Sequence, residues 1–322
     1  MKNTKSTLSG KFYSADIISL DQFDPVTLKK LFSLVPKMAS IAKNAQPSKL
    51  LSGKIVTLLF YEPSSRTFAS FAGAIKQLGG ETIDILNPLQ FSSVSKGENF
   101  EDTIRVFEAY CDAIIIRHPE IGTAKKAALI AASVPIINAG DGNGEHPTQA
   151  LLDLYTIYEK YKKLDGLTGV MAGDPLNSRT IHSLIKGLSL YKNNTIYLLS
   201  PKELRLNRDD FNSYTEKGVK LIEIYSEKEI PKNANFWYWT RVQKERFKDK
   251  KTYEKVKDSF YLTSNLIKNF AGKDTILMDP LPRVGNIDMS VDQDPRALYL
   301  RNQIRNGMYV RMALLSLILN KK

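Results

Sequence analysis

Residues 62–67 read Glu-Pro-Ser-Ser-Arg-Thr, and the segments on either side of them predict how this part of the chain folds. The apolar run Ile55–Phe60 precedes them and is typical of a buried strand. Apolar residues at helical spacing follow from Phe68 to Leu78, and Gly79-Gly80 ends that pattern. The sequence therefore predicts a strand, a short polar loop and a helix in direct succession.

The junction between that strand and that helix has the chemistry of an anion site. Backbone N–H groups point outward at a helix N-terminus, and the helix dipole adds partial positive charge there. Ser64, Ser65 and Thr67 contribute hydroxyl donors, and Arg66 contributes a guanidinium group that can bind an anion through two N–H groups. A capping serine beside a surface arginine is the alternative, and this segment alone does not decide between them.

Strand-like and helix-like segments alternate along the rest of the chain. This order predicts parallel sheets that are covered by helices on both faces. The predicted strands are Ile55–Phe60, Thr82–Ile85, Ala113–Ile116, Val134–Ile137, Gly169–Ala172, Ile196–Leu199, Lys220–Ile224, Asn235–Trp239 and Thr275–Met278. The predicted helices include Thr123–Ala132, Pro147–Tyr161, Ser178–Leu190 and Tyr253–Phe270.

The strands form two groups, so we expect an α/β protein with two doubly wound parallel-sheet domains. The first domain covers residues 1–147 and is completed by about 304–322, and the second covers 148–303. The amphipathic segment Ala297–Leu319 is expected to return to the first domain. Ligands of open parallel sheets bind beyond the carboxyl ends of the strands, which predicts an active site in the cleft between the domains. The residues expected to face this cleft are Arg66, Arg117, His146, Asp174 and Arg241.

Composition excludes several classes of protein. The chain has 322 residues, of which 43% are hydrophobic, enough for two domains with buried cores. No apolar stretch approaches the ~20 residues that cross a bilayer, so no membrane association is expected. The polar segment Met1–Lys11 lacks the apolar run of a signal peptide and is expected to be a frayed extension. The single cysteine, Cys111, excludes an internal disulfide and favours a cytoplasmic location.

The net charge of +12 suits anionic small substrates, nucleic acid or solubility alone. The lysines of segment 244–257 alternate with acids, as on solvated surfaces, and no zinc-finger or aromatic RNA-binding pattern occurs. No nucleic acid is therefore expected as a partner, and a basic nucleic-acid-binding protein is the alternative from another functional class. The histidines His118, His146 and His182 lie far apart in sequence, so no metal site and no cofactor are predicted.

Three further segments extend the pattern of residues 64–67. Residues 138–149 read Asn-Ala-Gly-Asp-Gly-Asn-Gly-Glu-His-Pro-Thr-Gln, residues 240–246 read Thr-Arg-Val-Gln-Lys-Glu-Arg, and residues 279–283 read Asp-Pro-Leu-Pro-Arg. In order and spacing, from about Phe12 onward, the chain resembles the aspartate/ornithine carbamoyltransferase family. The resemblance implies an enzyme of pyrimidine biosynthesis that transfers the carbamoyl group of carbamoyl phosphate to the amine of L-aspartate. Ornithine or putrescine is the alternative acceptor, although the Ser-Met-Gly element and the loop cysteine of ornithine enzymes are absent.

The resemblance also implies which residues bind carbamoyl phosphate. Arg66, Thr67, Arg117 and His146 are expected to be catalytic, by binding the phosphate and stabilising the tetrahedral oxyanion without a covalent intermediate. Gln149 is expected to bind the carbamoyl NH2 group, and the loop around Leu281 and Pro282 is expected to turn its carbonyls toward the same nitrogen. The Leu281–Pro282 bond is a plausible cis peptide. The complete implied carbamoyl phosphate site is Ser64, Ser65, Arg66, Thr67, Arg117, His146, Gln149, Leu281 and Pro282.

The implied aspartate site consists of Lys96, Arg179, Arg241 and Gln243, in which arginines pair with the two carboxylates. By the same resemblance, Ser92 and Lys96, on a mobile polar loop, reach the active site of a neighbouring subunit, so a homotrimer with shared active sites is expected. Glu62 and Arg246 are implied to support the closed state. The sequence leaves open whether a regulatory chain joins the trimers.

One position departs from the family pattern. The family usually has histidine where this chain has Asp279, directly before Pro-Leu-Pro-Arg. If the Asp279 side chain supports the loop, activity is expected to survive. If it lies near the substrates, its negative charge is expected to weaken anion binding.

Overall fold

The computed structural model describes residues 7–44, 48–244, 247, 249–257 and 259–321. The chain divides into two compact units, one of Met1–Leu152 with Arg305–Lys322 and one of Asp153–Ile304. The sequence predicts domain boundaries at 147/148 and about 303/304, and the two units meet at 152/153 and 304/305.

The first unit is built on a four-stranded parallel sheet with strand order β2-β1-β3-β4. Its strands are β1 Ile55–Phe60, β2 Glu81–Leu86, β3 Ala113–His118 and β4 Ile136–Asp141. Its helices are α1 Pro25–Lys43, α2 Ser65–Gln77, α3 Pro88–Phe91, α4 Phe100–Glu108, α5 Thr123–Ile130 and the start of α6 Pro147–Tyr161, together with most of the C-terminal helix α11 Asn302–Leu319.

The second unit is built on a five-stranded parallel sheet with strand order β7-β6-β5-β8-β9. Its strands are β5 Thr168–Ala172, β6 Thr195–Leu199, β7 Lys220–Ile224, β8 Phe236–Trp239 and β9 Ile276–Met278. Its helices include α7 Arg179–Leu188, α8 Arg208–Glu216, α9 Lys250–Val256 and α10 Ser264–Phe270. The two parallel-sheet α/β domains predicted from the alternation of elements are confirmed. No helix in the described part of the chain is long and apolar enough to cross a membrane.

Strand β4 extends further than its apolar run indicated. The run Val134–Ile137 predicted a strand end at residue 137, but the strand continues through buried polar residues to Asp141. Asn138 makes this possible, because its side chain donates to the Ile18 carbonyl at 3.0 Å and accepts from the Gly140 N–H at 2.8 Å. A buried polar side chain with partners avoids the cost of desolvation.

The prediction of one helix over Tyr253–Phe270 is wrong. The segment contains two short helices, α9 and α10, and the chain between them runs beside a later loop. The Leu262 N–H donates to the Asn286 carbonyl, and the Leu262 carbonyl accepts from the Asp288 N–H, both at 2.9 Å. Thr263 then caps α10 through a bond from the Leu266 N–H. Pairing with residues distant in sequence therefore interrupts the helix.

The C-terminal helix returns to the first unit, as predicted. Arg311 is 3% exposed and donates to the Ser70 hydroxyl at 2.8 Å and to the Thr148 hydroxyl at 3.3 Å. Its guanidinium also lies 4.8 Å from the centre of the Phe71 ring. A buried guanidinium is tolerated only with such partners. Arg311 therefore ties α11 to the first turns of α6 and to the middle of α2.

Candidate active site

Helix α2 begins directly after β1 and its connecting loop, as the sequence predicted. Ser64 occupies the N-cap position, but its hydroxyl makes no capping hydrogen bond. By contrast, the N-cap serines Ser19 and Ser226 both bond to the first turn of their helices. Ser65 and Arg66 are exposed at this end of α2. An anion could therefore bind the first-turn amides that a serine side chain binds elsewhere.

Thr67 and His146 meet in the first unit although 79 residues separate them in sequence. The Thr67 hydroxyl lies 3.4 Å from His146 Nε2, and the two residues are 7% and 4% exposed. Thr67 is in the first turn of α2, and His146 directly precedes α6. The contact therefore brings the N-termini of two helices to one point, where both helix dipoles favour negative charge.

Arg117 lies at the carboxyl end of β3 and is 6% exposed. Its guanidinium forms an ion pair with Glu62 at 2.8 Å and donates a hydrogen bond to the Ala139 carbonyl of β4 at 3.1 Å. Glu62 follows β1, and the Tyr61 N–H donates to the Arg117 carbonyl at 2.8 Å. The carboxyl ends of three adjacent strands thus hold Arg117. Glu62 is thus paired with Arg117 within the first unit. Arg246, the other residue implied to support the closed state, lies outside the described residues.

The loop that presents His146 is fixed by two carboxylates. Asp141 accepts from the Glu145 N–H at 2.8 Å and from the Gly122 N–H at 2.9 Å. Glu145 in turn accepts from the Ser19 hydroxyl at 2.7 Å and the Leu20 N–H at 2.8 Å. This role of Glu145 was not predicted from the sequence, where the signal for it is a carboxylate next to the candidate histidine. The segment near Ser19 thus helps to hold His146 in position.

The remaining candidates of the first unit lie at the start of α6 and in the segment after β2. Gln149 is half-buried in the first turn of α6, three residues after His146. Ser92 precedes a short 3-10 helix, Ser93–Lys96, that follows β2, and Lys96 is the last residue of that helix. The Ser92 hydroxyl donates to the Pro88 carbonyl at 2.8 Å, and Lys96 is exposed. The structure therefore brings Thr67 and His146 together, places Arg117 at the carboxyl end of β3 in the same unit, and gives Ser92 a partner on its own loop.

In the second unit, Asp174 organises the loops that carry the candidate aspartate residues. It is fully buried and follows β5, and its carboxylate accepts from the Asn177 N–H at 3.1 Å and the Gln243 N–H at 3.4 Å. Burial raises the pKa of the Asp174 carboxyl, and the bonds from Asn177 and Gln243 oppose that rise. Asp174 therefore links the loops that follow the neighbouring strands β5 and β8.

A close backbone contact holds the same two loops together. Gly173 has a φ of +113°, and a Cβ atom there would lie 2.1 Å from the Thr240 carbonyl oxygen, so only glycine fits. Arg179 begins α7, and Arg241 follows Thr240, so this contact sets the spacing between their backbones. Gln243 donates through its side chain to the Asn177 carbonyl at 3.3 Å. Arg179, Arg241 and Gln243 are thus carried by one connected pair of loops.

Leu281 and Pro282 lie on the loop that follows β9. Their peptide bond is cis, which confirms the prediction, and Leu281 has a φ of +59°. Asp279 is 2% exposed and bonds to the Leu281 N–H and to Asn286. The side chain of Asp279 therefore supports the loop, which is the first of the two alternatives considered above.

The two parallel sheets define an α/β protein whose candidate residues lie at the carboxyl ends of strands and at helix N-termini, where ligands of open parallel sheets bind. Residues 15–159 match the model of the aspartate/ornithine carbamoyltransferase carbamoyl-P binding domain, and residues 165–318 match that of the family's Asp/Orn binding domain. The chain belongs to the aspartate/ornithine carbamoyltransferase family.

Relatives within the family agree along most of the chain. The aspartate carbamoyltransferase catalytic subunit of Methanocaldococcus jannaschii is 44% identical over 299 residues, which cover 93% of this chain and 96% of that protein. A solved structure of that catalytic subunit has a TM-score of 0.86 and covers 94% of this chain and 96% of its own. Aspartate transcarbamoylase from Trypanosoma cruzi, solved with N-(phosphonacetyl)-L-aspartic acid, is 35% identical with a TM-score of 0.86, and the match covers 98% of each chain.

Proposed function

We propose that this chain is an aspartate carbamoyltransferase, which transfers the carbamoyl group of carbamoyl phosphate to the amine of L-aspartate and releases phosphate. The observation that carries the proposal is the contact between Thr67 and His146, because it joins a hydroxyl and an imidazole at two helix N-termini. The buried Arg117 adds a guanidinium at the carboxyl end of β3 in the same unit. The Trypanosoma cruzi relative was solved with carbamoyl phosphate and aspartate, which supports the same two substrates.

In the proposed reaction, the first unit binds carbamoyl phosphate. The phosphate is bound by Arg66 and by the hydroxyl and amide groups of Ser64, Ser65 and Thr67. The aspartate amine attacks the carbamoyl carbon, and negative charge develops on the carbonyl oxygen. Arg66, Thr67 and His146 stabilise that oxygen, because positioned donors bind it more strongly in the transition state than in the substrate. The C–O bond to phosphate then breaks, and the departing phosphate takes the proton of the amine.

The second unit supplies the groups that recognise the acceptor. Arg179 and Arg241 bind the two carboxylates of aspartate, since planar guanidinium groups match carboxylates in a bidentate manner. Gln243 supports this site from the loop that Asp174 holds. Gln149 and the Leu281 and Pro282 carbonyls bind the carbamoyl nitrogen. Ornithine lacks the second carboxylate that this pair of arginines would bind, so aspartate is the acceptor that fits best.

The first test of this function is a comparison of acceptors. We expect steady-state turnover with carbamoyl phosphate and L-aspartate, and no turnover when D-aspartate, ornithine or putrescine replaces L-aspartate. Calorimetry should show that N-(phosphonacetyl)-L-aspartate binds far more tightly than phosphonoacetate or succinate, because it fills both half-sites at once. Turnover with ornithine or putrescine but not with aspartate would refute the proposed acceptor.

We further propose a homotrimer whose active sites are shared between subunits through Ser92 and Lys96. Exposed large apolar side chains precede that loop in β2 and α3, and β2 is an edge strand, which supports contact with a second copy. Leu86, Leu89 and Phe91 are 50%, 58% and 75% exposed. Lys96 in this arrangement adds a positive charge to the aspartate site of the neighbouring subunit.

Mixing two inactive variants tests the shared site. We expect Arg66→Ala and Lys96→Ala proteins to be nearly inactive alone and to regain activity when dissociated, mixed and reassembled. In a random cyclic trimer about a quarter of the sites would combine a native Arg66 with a native Lys96 from the next subunit. The measurement is turnover of the mixture against its composition, with hybrid formation checked by native mass spectrometry.

The matched control mixes Arg66→Ala with His146→Ala. Both residues belong to the same half-site of one subunit, so no hybrid contains a complete site and activity should stay absent. If hybrids form and the Lys96→Ala mixture also stays inactive, Lys96 acts within its own subunit or has no role in the site.

We also propose a cytoplasmic location for this chain. The single cysteine supports a reducing compartment. The pea and Arabidopsis relatives, by contrast, are named as chloroplastic proteins.

A further inference from the structure

Asp279 and Asn286 close the loop that carries Leu281 and Pro282. Asp279 is 2% exposed and Asn286 is 4% exposed, and both lie at the ends of this loop in the second unit. One oxygen of the Asp279 carboxylate accepts from the Leu281 N–H, and the other accepts from the Asn286 side-chain amide at 2.6 Å. Asn286 also accepts from the Val284 N–H at 2.9 Å. One hydrogen bond thus joins the two side chains, and two more connect them to the backbone between them.

The backbone held by these bonds is strained. Leu281 has a φ of +59°, a left-handed conformation that disfavours a branched side chain. Such a conformation is unfavourable and persists only where the surroundings enforce it. The bond from the Leu281 N–H to Asp279 fixes the orientation of the peptide that precedes Leu281. It therefore helps to set the direction of the Leu281 carbonyl on the other side of the same residue.

The start of the loop is anchored as well. The Asp279 N–H donates to the side chain of Gln303 at 3.1 Å, and Gln303 donates to the buried Asp153 at 2.7 Å. Rotation of the Asp279 side chain toward solvent would break both hydrogen bonds of its carboxylate, while the bond to Gln303 holds the backbone of Asp279 in place. Both oxygens of the Asp279 carboxylate accept hydrogen bonds from residues of this loop, so the negative charge faces the loop.

We propose that Asp279 is a positioning residue that aims the Leu281 carbonyl at the carbamoyl NH2 group, and that Asn286 is its obligatory partner. The inference rests on the proposed function, since it assigns the Leu281 carbonyl to that nitrogen. The pair replaces the histidine that the family usually has at this position. A neutral imidazole has one acceptor nitrogen, so it could not accept from both Leu281 and Asn286 as the carboxylate does.

Exchanging the two side chains tests the pairing. In Asp279→Asn, the new amide nitrogen faces either the Leu281 N–H or the Asn286 NH2 group, and two donors cannot bond to each other. If the Asn286 amide rotates to avoid this, its NH2 group faces the Val284 N–H instead. The double variant Asp279→Asn/Asn286→Asp restores every bond, because the donor and acceptor roles between the two side chains are reversed.

The readout compares carbamoyl phosphate with acetyl phosphate, which has a methyl group in place of the NH2 group. Calorimetry on the intact oligomer should show that Asp279→Asn binds carbamoyl phosphate about tenfold more weakly, as expected for one hydrogen bond to a neutral group. Binding of acetyl phosphate should not change, because it makes no such bond. The double variant should regain the wild-type preference for carbamoyl phosphate. Asp294→Asn, which breaks the 2.8 Å ion pair with Arg296 in the same unit, is the control and should keep the wild-type preference.

Melting temperatures of the same proteins separate the possible outcomes. If the double variant regains its melting temperature but not its preference for carbamoyl phosphate, the pair is purely structural and the inference is wrong. Equal weakening of both ligands in Asp279→Asn would also overturn it. If Asp279→Asn does not fold, the double variant carries the test alone and must discriminate as the wild type does. If wild-type protein binds neither ligand, the proposed function fails, whereas recovery of the melting temperature in the double variant would still establish the pairing.

Discussion

Arg66→Ala is expected to lower kcat about 10²–10³-fold, the loss observed when one oxyanion-hole donor is removed. Arg66 is exposed at the first turn of α2, next to the buried Thr67 that contacts His146. Its guanidinium is proposed to bind both the phosphate and the developing oxyanion. Because the second of these interactions is made only in the transition state, kcat should fall more than the affinity for carbamoyl phosphate. Steady-state kinetics at saturating aspartate measures kcat, and calorimetry measures the affinity for carbamoyl phosphate.

Two further variants control for charge and for folding. Arg66→Lys keeps the positive charge but loses the planar pair of donors, so it should recover only part of the lost rate. Lys76→Ala removes a cation from the last turn of the same helix and should leave kcat unchanged. Near-normal kcat in Arg66→Ala at saturating carbamoyl phosphate would contradict the assignment.

Arg241→Ala and Arg179→Ala should each impair the use of aspartate far more than the binding of carbamoyl phosphate. Each variant removes a cation proposed to face one carboxylate. A truncated charge pair costs about 2–5 kcal/mol when the remaining charge stays buried. The KM for aspartate should therefore rise steeply, or kcat should fall if closure depends on the contact. Steady-state kinetics with varied aspartate measures the first effect, and calorimetry with carbamoyl phosphate alone should show little change.

The control for the acceptor site is Arg208→Ala. The Arg208 side chain is 73% exposed and lies 3.8 Å from Glu223, in the same unit but outside the loops that Asp174 connects. Removal of the Arg208 side chain should leave the KM for aspartate and the binding of carbamoyl phosphate unchanged, since exposed ion pairs contribute little. Loss of carbamoyl phosphate binding in Arg241→Ala, with normal saturation by aspartate, would mean that the two half-sites were assigned in reverse.

The local pattern of the sequence predicted most of the secondary structure. All nine strands were found close to their apolar runs, and the helix Pro147–Tyr161 was predicted with its observed bounds. These features depend on the spacing of apolar residues and on the residues that begin or end an element, both of which are local. The alternation of strands and helices then fixed the class of fold, because parallel strands require crossover connections.

The sequence also indicated the anion site at Ser64–Thr67, since a hydroxyl-rich turn at a helix N-terminus has that chemistry by itself. What it determined about this protein is therefore the order of its elements, its two parallel sheets and the residue types of its site. The tertiary structure alone decided which of these residues meet. The contact of Thr67 with His146, the support of the His146 loop by Ser19, and the clamp of Asp279 on Asn286 all depend on side chains that local spacing does not relate. The tertiary structure also decided where the local preference for a helix failed. At Leu262, hydrogen bonds to a loop distant in sequence replace the bonds that a helix would have made.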